Sequence, residues 1–191
     1  MSHARLITIL SLFLIASPAL ADFNAGMQAY RQKDYNRAIK EFKAGKDMYS
    51  KFNLGVMYFK GEGVKANPEA GMNLIRKSGD QGYLKAQLVL AGIYDKGEKG
   101  VPQDKAEALK WYRKAAAKGD MNAQYAVGSM LLNVNRQVEE EERKEAIAWF
   151  KKAARQGHEG ARKFLGVLKE EIPDVKKGKK AAPAKTPAGH P

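Results

Sequence analysis

The chain of 191 residues contains no cysteine and only three histidines. Without cysteine it forms neither a disulfide nor a thiolate metal site, and it lacks a thiol nucleophile. His3 and His190 are far from His158 in sequence, and no metal-ligand spacing, phosphate-binding glycine loop after a strand, or nucleophile elbow occurs. We therefore expect no catalytic residues, no metal site and no cofactor.

Acidic residues are also in the minority. There are 21 Asp and Glu against 34 Lys and Arg, which gives a formal net charge of +13. This excess predicts attraction to anionic surfaces, although it does not identify which surface.

The first residues have the pattern of a bacterial Sec-type export signal. Arg5 precedes the apolar run 6–16, and an A-x-A cleavage motif ends at Ala21. The run is short for a membrane-spanning helix. We expect a signal peptide over 1–21 that is cleaved after Ala21, no transmembrane anchor after cleavage, and a periplasmic or secreted protein. A retained N-terminal anchor is the alternative, and export argues against nucleic acid as a partner.

A unit of about 37 residues repeats along the chain. Trp111 corresponds to Leu74, 37 residues earlier, and to Trp149, 38 residues later. In each half of the unit the apolar residues recur at helical spacing, which predicts a helix, a loop and a second helix. Because one helix pair cannot bury its own apolar face, neighbouring pairs are expected to stack, with Trp111 and Trp149 in equivalent core positions.

Local signals mark the ends of these helices. Asp104, with Glu107 three residues later, is typical of a capping box. Helices are expected to end at glycines that can adopt a positive φ, namely Gly82, Gly119 and Gly157.

The repeated pattern A-x3-LG-x2-Y-x2-G-x-G-V-x2-D-x3-A-x2-W-[YF]-x-K-A-A-x2-G resembles the Sel-one-like repeat, a longer relative of the tetratricopeptide repeat. The best copy is 86–119; the copy at 50–82 lacks the tryptophan, and the copy at 123–157 lacks the Gly-x-Gly-Val loop. The resemblance covers roughly 30–168. It implies an all-α fold, a right-handed α-solenoid of antiparallel helix pairs with a terminal capping helix.

We predict that this solenoid extends over 22–172. Its units are expected at 22–47, 48–82, 83–119 and 120–157, followed by a capping helix within 158–172. Residues 173–191 contain several lysines and prolines and no large apolar residue after Val175. Such a segment buries too little surface to offset its ordering entropy, so a disordered basic tail is expected.

The resemblance implies an exported, non-enzymatic scaffold or adaptor of the cell envelope that binds a protein or peptide partner. The groove of such solenoids is lined by the first helices, whose expected solvent-facing residues are Lys51, Asn53, Gln87 and Gln124. The alternative is a binder of an anionic envelope polymer or lipid. It would use a basic ladder and the tail, comprising Arg76, Lys77, Arg113, Lys114, Lys151, Lys152, Lys176, Lys177, Lys179 and Lys180. A third hypothesis is β-lactam hydrolysis, as in cysteine-rich relatives, and the absence of cysteine argues against it.

Overall fold

The computed structural model describes residues 18–132 and 139–168, with side chains from residue 23 onward. Within these ranges the chain forms nine α-helices: α1 (Pro18–Arg31), α2 (Tyr35–Ala44), α3 (Met48–Lys60), α4 (Pro68–Asp80), α5 (Leu84–Lys96), α6 (Lys105–Ala117), α7 (Met121–Leu131), α8 (Glu140–Arg155) and α9 (Glu159–Val167). One isolated bridge, between Glu98 and Val101, is the extent of β-pairing in this part of the chain. The predicted all-α class is therefore confirmed.

Two predicted segments lie largely outside the described residues. They are the signal peptide, of which 1–17 is not described, and the whole of the tail 173–191. Of the helices in the described ranges, none is both long enough and apolar enough to cross a membrane.

Side-chain caps fix where most of these helices begin. At five helix starts, an Asp or Asn oxygen accepts a hydrogen bond from a backbone N–H in the first turn, at 2.7 to 3.1 Å. Each cap satisfies a donor that has no partner within its own helix. The capping residues are Asp34, Asp47, Asn67, Asp104 and Asp120.

The capping box predicted at the start of α6 forms only in part. Asp104 accepts from the N–H of Glu107 at 2.9 Å, but the Glu107 carboxylate accepts from Trp111 Nε1 at 3.1 Å and from Lys110 Nζ at 2.8 Å. The N–H of Asp104 donates to the carbonyl of Tyr94 at 2.8 Å. Since that donor is already satisfied, the glutamate is available to position the tryptophan.

The three glycines expected to end helices do so. Gly82, Gly119 and Gly157 have φ of 92°, 95° and 101°, in the left-handed region that residues with a side chain rarely adopt. Each follows a second helix and turns the chain into the next first helix.

The chain divides into two compact units, with the boundary between Ala86 and Gln87. In the first unit α1 pairs with α2 and α3 pairs with α4. Two glycines allow α3 and α4 to approach closely, since a Cβ added to Gly55 would lie 2.9 Å from the carbonyl oxygen of Gly71. A core cluster of this unit comprises Ala29, Ala38, Phe42, Leu54 and Met57.

In the second unit α7 packs on α6 and α8, and α9 packs on α8. Phe150 of α8 is completely buried. Its ring centroid lies 5.6 Å from that of Tyr125 and 4.4 Å from that of Phe164, and its ring covers Gly128 of α7. One aromatic side chain thus joins three successive helices.

Candidate protein-interaction surface

Three of the four predicted groove residues occupy the same place in successive first helices: Lys51 of α3, Gln87 of α5 and Gln124 of α7. The ammonium group of Lys51 donates to Gln81 Oε1 at 3.2 Å and to the carbonyl of Lys46. Gln81 is the residue that ends α4. Lys51 is half-buried and ties the first helix of its repeat to the end of the second helix.

The expectation that Gln87 and Gln124 face solvent is wrong. Their exposed fractions are 3% and 4%. Each lies four residues before a small residue of the packing face, Ala91 and Gly128 respectively, so each amide lies on the same buried side of its helix. Their burial leaves Lys51 and Asn53 as the predicted residues that a partner can reach directly.

The amide of Gln124 is hydrogen-bonded both within its own repeat and to the preceding one. Its Nε2 donates to the carbonyl of Ala116 at 3.2 Å, and its Oε1 accepts from Gln156 Nε2 at 2.9 Å. Gln156 ends α8 and also donates to the carbonyl of Gly119 at 2.9 Å. The pair Gln124–Gln156 therefore corresponds, two repeats further on, to the pair Lys51–Gln81.

Asn53 lies on the accessible side of α3. It is half-buried, and its Nδ2 donates to the carbonyl of Tyr49 one turn earlier, at 2.8 Å. Among the described residues none donates a hydrogen bond to its Oδ1. Asn53 therefore presents an acceptor in a fixed orientation, since its amide nitrogen is already held by the helix.

An aromatic row lies at the start of the same helix; it consists of Phe23, Tyr49, Tyr83 and Phe52. Successive ring centroids along the row are 5.5, 5.0 and 5.2 Å apart. Phe52 is buried, and the other three side chains are half-buried. Partial burial, and to a lesser degree the neighbouring Tyr49, raises the pKa of Tyr83. The row thus keeps three large rings partly accessible beside the amide of Asn53.

Tyr49 and Tyr83 were not among the residues predicted from the sequence, although a signal for Tyr83 is present. Tyr83 occupies the position of Asp47 and Asp120, the residues that cap the first helices of two other repeats. A tyrosine hydroxyl is too far from its own backbone to cap in the same way. A large ring at a capping position indicates a role other than starting the helix.

Of the predicted basic ladder, Arg113 is engaged within the second unit. Its guanidinium donates to both carboxylate oxygens of Glu145, at 2.8 and 3.2 Å. This bidentate pair joins α6 to α8 and neutralises the charge locally. Arg76 of the first unit donates to Asn73 Oδ1 one turn earlier, at 3.1 Å.

Lys114 and Lys152 lie over tryptophan rings. In both cases the ammonium nitrogen is 3.9 Å from the ring centroid, of Trp111 and Trp149 respectively. Each indole N–H donates at 3.1 Å to a glutamate one turn earlier, Glu107 and Glu145. The two tryptophans thus have equivalent surroundings, as predicted, although Trp111 is buried and Trp149 is half-buried. A cation–π contact fixes each lysine but leaves its charge exposed.

The other basic residues are placed as follows. Lys77 is exposed at the end of α4, and Lys151 is half-buried on α8. Lys176, Lys177, Lys179 and Lys180 lie outside the described residues. The binding role predicted for the ladder and the tail stays a prediction.

A depression of about 290 Å³ in the first unit is lined by Tyr58, Val64, Lys65, Asn67 and Ala70. This volume lies at the lower end of the range for small-molecule pockets. Over 18–132 and 139–168, no three His, Asp or Glu side chains converge as they would to hold a metal ion.

Comparison with known proteins places the repeats in context. A family model described as Sel1 repeat matches residues 49–83, 84–120 and 122–158, which together make up more than half of the chain. Among the curated proteins, Chitin synthase regulatory factor 3 of Schizosaccharomyces pombe is 41% identical over 70 residues. That match covers 36% of this chain and 8% of the yeast protein.

Two solved structures are similar over most of the chain. A protective antigen present in uropathogenic Escherichia coli strains, described as displaying an SLR fold, superposes with a TM-score of 0.62 and 31% identity; the match covers 78% of this chain and 33% of the antigen. A Sel1 repeat protein from Oxalobacter formigenes gives a TM-score of 0.60 and 31% identity, covering 77% and 59% of the two chains. The chain thus spans less than two thirds of the length of each of these relatives.

Proposed function

Because the chain belongs to the Sel1-repeat family, whose members generally mediate protein–protein interactions, we propose that it is an exported interaction scaffold of the bacterial cell envelope. Family membership confirms the resemblance inferred from the repeats, and the family is typically a non-catalytic scaffold. The scaffold binds a protein partner in an extended or helical segment, and it carries out no chemistry of its own.

The proposed binding surface lies on the first unit. It combines the aromatic row with Asn53 and the ammonium group of Lys51. The observation that carries it is the Tyr49–Tyr83 pair, two partly accessible rings 5.0 Å apart, next to an asparagine whose amide oxygen accepts from no described residue. Tyrosines supply large contact area at low entropy cost, and they are enriched among the residues that dominate binding energies. The amide oxygen is placed to accept from a backbone N–H of the partner.

Site-specific photocrosslinking in intact cells tests this proposal. A photoreactive amino acid is placed at Asn53, and a matched control carries it at Asn73, an exposed asparagine on the second helix α4. Position 53 should yield a discrete protein adduct that position 73 does not. Equal adducts at both positions would show that the first helix has no special role.

A second variant separates binding from folding. Tyr83→Asp removes one ring of the row and introduces the capping residue found at Asp47 and Asp120, so the helix start is supported. The adduct at Asn53 should disappear, while the helical circular dichroism signal is retained. An interaction that survives Tyr83→Asp and falls steeply with ionic strength would point instead to the basic residues.

Export is part of the proposal and has its own test. It is supported by the charged, apolar and A-x-A segments of residues 1–21. Fractionation of the producing cells should find the protein in the periplasm or medium, and N-terminal sequencing should begin at Asp22. A full-length chain in the cytoplasmic fraction would contradict export.

A further inference from the structure

The first helices of successive repeats begin at equivalent positions, and one of these carries a histidine. The positions are Asp47, Tyr83, Asp120 and His158. Asp47 and Asp120 cap their helices with a carboxylate. At α9 the cap is the imidazole of His158, whose Nδ1 accepts from the N–H of Ala161 at 3.2 Å.

This cap depends on the protonation state of the ring. Nδ1 accepts a hydrogen bond only while it carries a lone pair, that is, in the neutral imidazole. The ring is held in place by stacking on Tyr125 of α7, with centroids 4.3 Å apart and planes 18° from parallel. In the imidazolium both nitrogens are donors, so the Nδ1–H of His158 would face the backbone N–H of Ala161.

Charged residues lie next to His158 along the chain on both sides. The last turn of α8 contributes Arg155, and α9 contributes Glu159 and Arg162, the latter donating to the carbonyl of Ala154 at 3.3 Å. The side chain facing it from α7 is the uncharged Tyr125.

α9 needs its cap more than the longer helices do. It has nine residues, and a helix of that length is marginal on its own in water. Its packing on α8 buries Ala161 and Leu165 completely and stacks Phe164 on Phe150 at 4.4 Å. Release of α9 would therefore uncover the central aromatic side chain of the second unit.

We propose that His158 makes the docking of α9 pH-dependent. At neutral pH the imidazole caps α9 and the helix covers Phe150. As the pH falls through the range in which histidine side chains take up a proton, between about 8 and 5, the cap is lost and the undocked state of α9 becomes about tenfold more populated. The apolar surface around Phe150 is thereby exposed more often in mildly acidic surroundings than at neutral pH.

Hydrogen exchange measured by mass spectrometry tests the proposal on the full chain. Protection of the amides of residues 161–167, corrected for the intrinsic pH dependence of exchange, should fall about tenfold from pH 7.5 to pH 5, given the usual contribution of a cap and of a charge at a helix end. The amides of α7 should keep their protection and serve as the internal control.

Two variants decide the outcome. His158→Asp introduces the residue found at Asp120, a cap that does not titrate between pH 5 and 7.5, and should hold the protection of α9 constant over that range. His158→Ala has no cap and should show low protection at both pH values. The proposal is overturned if wild-type protection does not fall, or if the same fall occurs in His158→Asp.

Discussion

Replacing single helix glycines by alanine should have opposite effects at two places within first helices, Gly55 in α3 and Gly92 in α5. A Cβ on Gly55 would lie 2.8 Å from Ile75 Cγ1, 2.9 Å from the carbonyl oxygen of Gly71 and 3.0 Å from the backbone nitrogen of Ile75. Two of these three atoms belong to the backbone of α4, so no side-chain rotation relieves the contact. A Cβ on Gly92 would meet no described atom within 4 Å.

The magnitudes follow from two opposing terms. Glycine to alanine in a helix interior favours folding by about 1 kcal/mol. Overpacking a close contact costs about 1–3 kcal/mol, and a backbone contact belongs at the upper end of that range. Gly55→Ala should therefore lower the free energy of unfolding by about 2 kcal/mol, and Gly92→Ala should raise it by about 0.5–1 kcal/mol.

Thermal denaturation followed by circular dichroism at 222 nm measures both changes. For a chain of this size 1 kcal/mol shifts Tm by roughly 2–4 °C, so Gly55→Ala should melt roughly 4–8 °C below the wild type and Gly92→Ala slightly above it. Because repeat proteins need not unfold in one step, urea titrations with amide exchange in α3 and α4 should accompany the melts. A Gly55→Ala variant that melts at or above the wild type would refute the close approach of α3 and α4.

Three further predictions rest on single side-chain contacts. A hydrogen bond to the Glu62 carboxylate, with some burial, raises the pKa of Tyr30 from 10.0 to about 12. This hydrogen bond therefore stabilises the fold below pH 10, and its contribution is lost as the pH rises from 10 to 12. Urea titrations of wild type and Tyr30→Phe should give the same free energy of unfolding at the upper end of that range. Burial acts to raise the pKa of Asp47, but hydrogen bonds from the first turn of α3 outweigh it and lower the pKa. Asp47→Ala should therefore lower the free energy of unfolding by about 1 kcal/mol at pH 7. The difference between the two proteins, measured from urea midpoints, should shrink below about pH 4. Arg113 and Glu145 are both partly exposed, and a double-mutant cycle on them should give a coupling free energy of about 0.5–1 kcal/mol. A coupling of zero would show that this ion pair does not contribute to stability.

The helix positions were predictable because they depend on local pattern. The spacing of Trp111 and Trp149 sets the repeat, and the glycines after each second helix adopt the expected left-handed conformation. Asn67, followed by Pro68, caps α4 as the rule for helix starts predicts. These signals act within one or two turns of chain, where sequence alone decides the outcome.

The environment of polar side chains was less predictable, because it depends on residues some thirty positions away. Gln124 was expected to face solvent, yet its partner Gln156 lies 32 residues further on. The same separation joins Arg113 to Glu145. Helical spacing places Gln124 on the buried side, four residues before Gly128, whereas its polarity suggests exposure. The distant amide of Gln156 makes the burial favourable.

The polar ties Lys51–Gln81 and Gln124–Gln156 each begin and end within a single repeat. A tandem duplication of one such block would therefore bring these ties with it, and only the contacts between blocks, such as Arg113–Glu145, would have to form anew. Proteins assembled in this way lengthen in evolution by whole blocks, and they acquire new binding surfaces without redesign of the contacts that hold each block together.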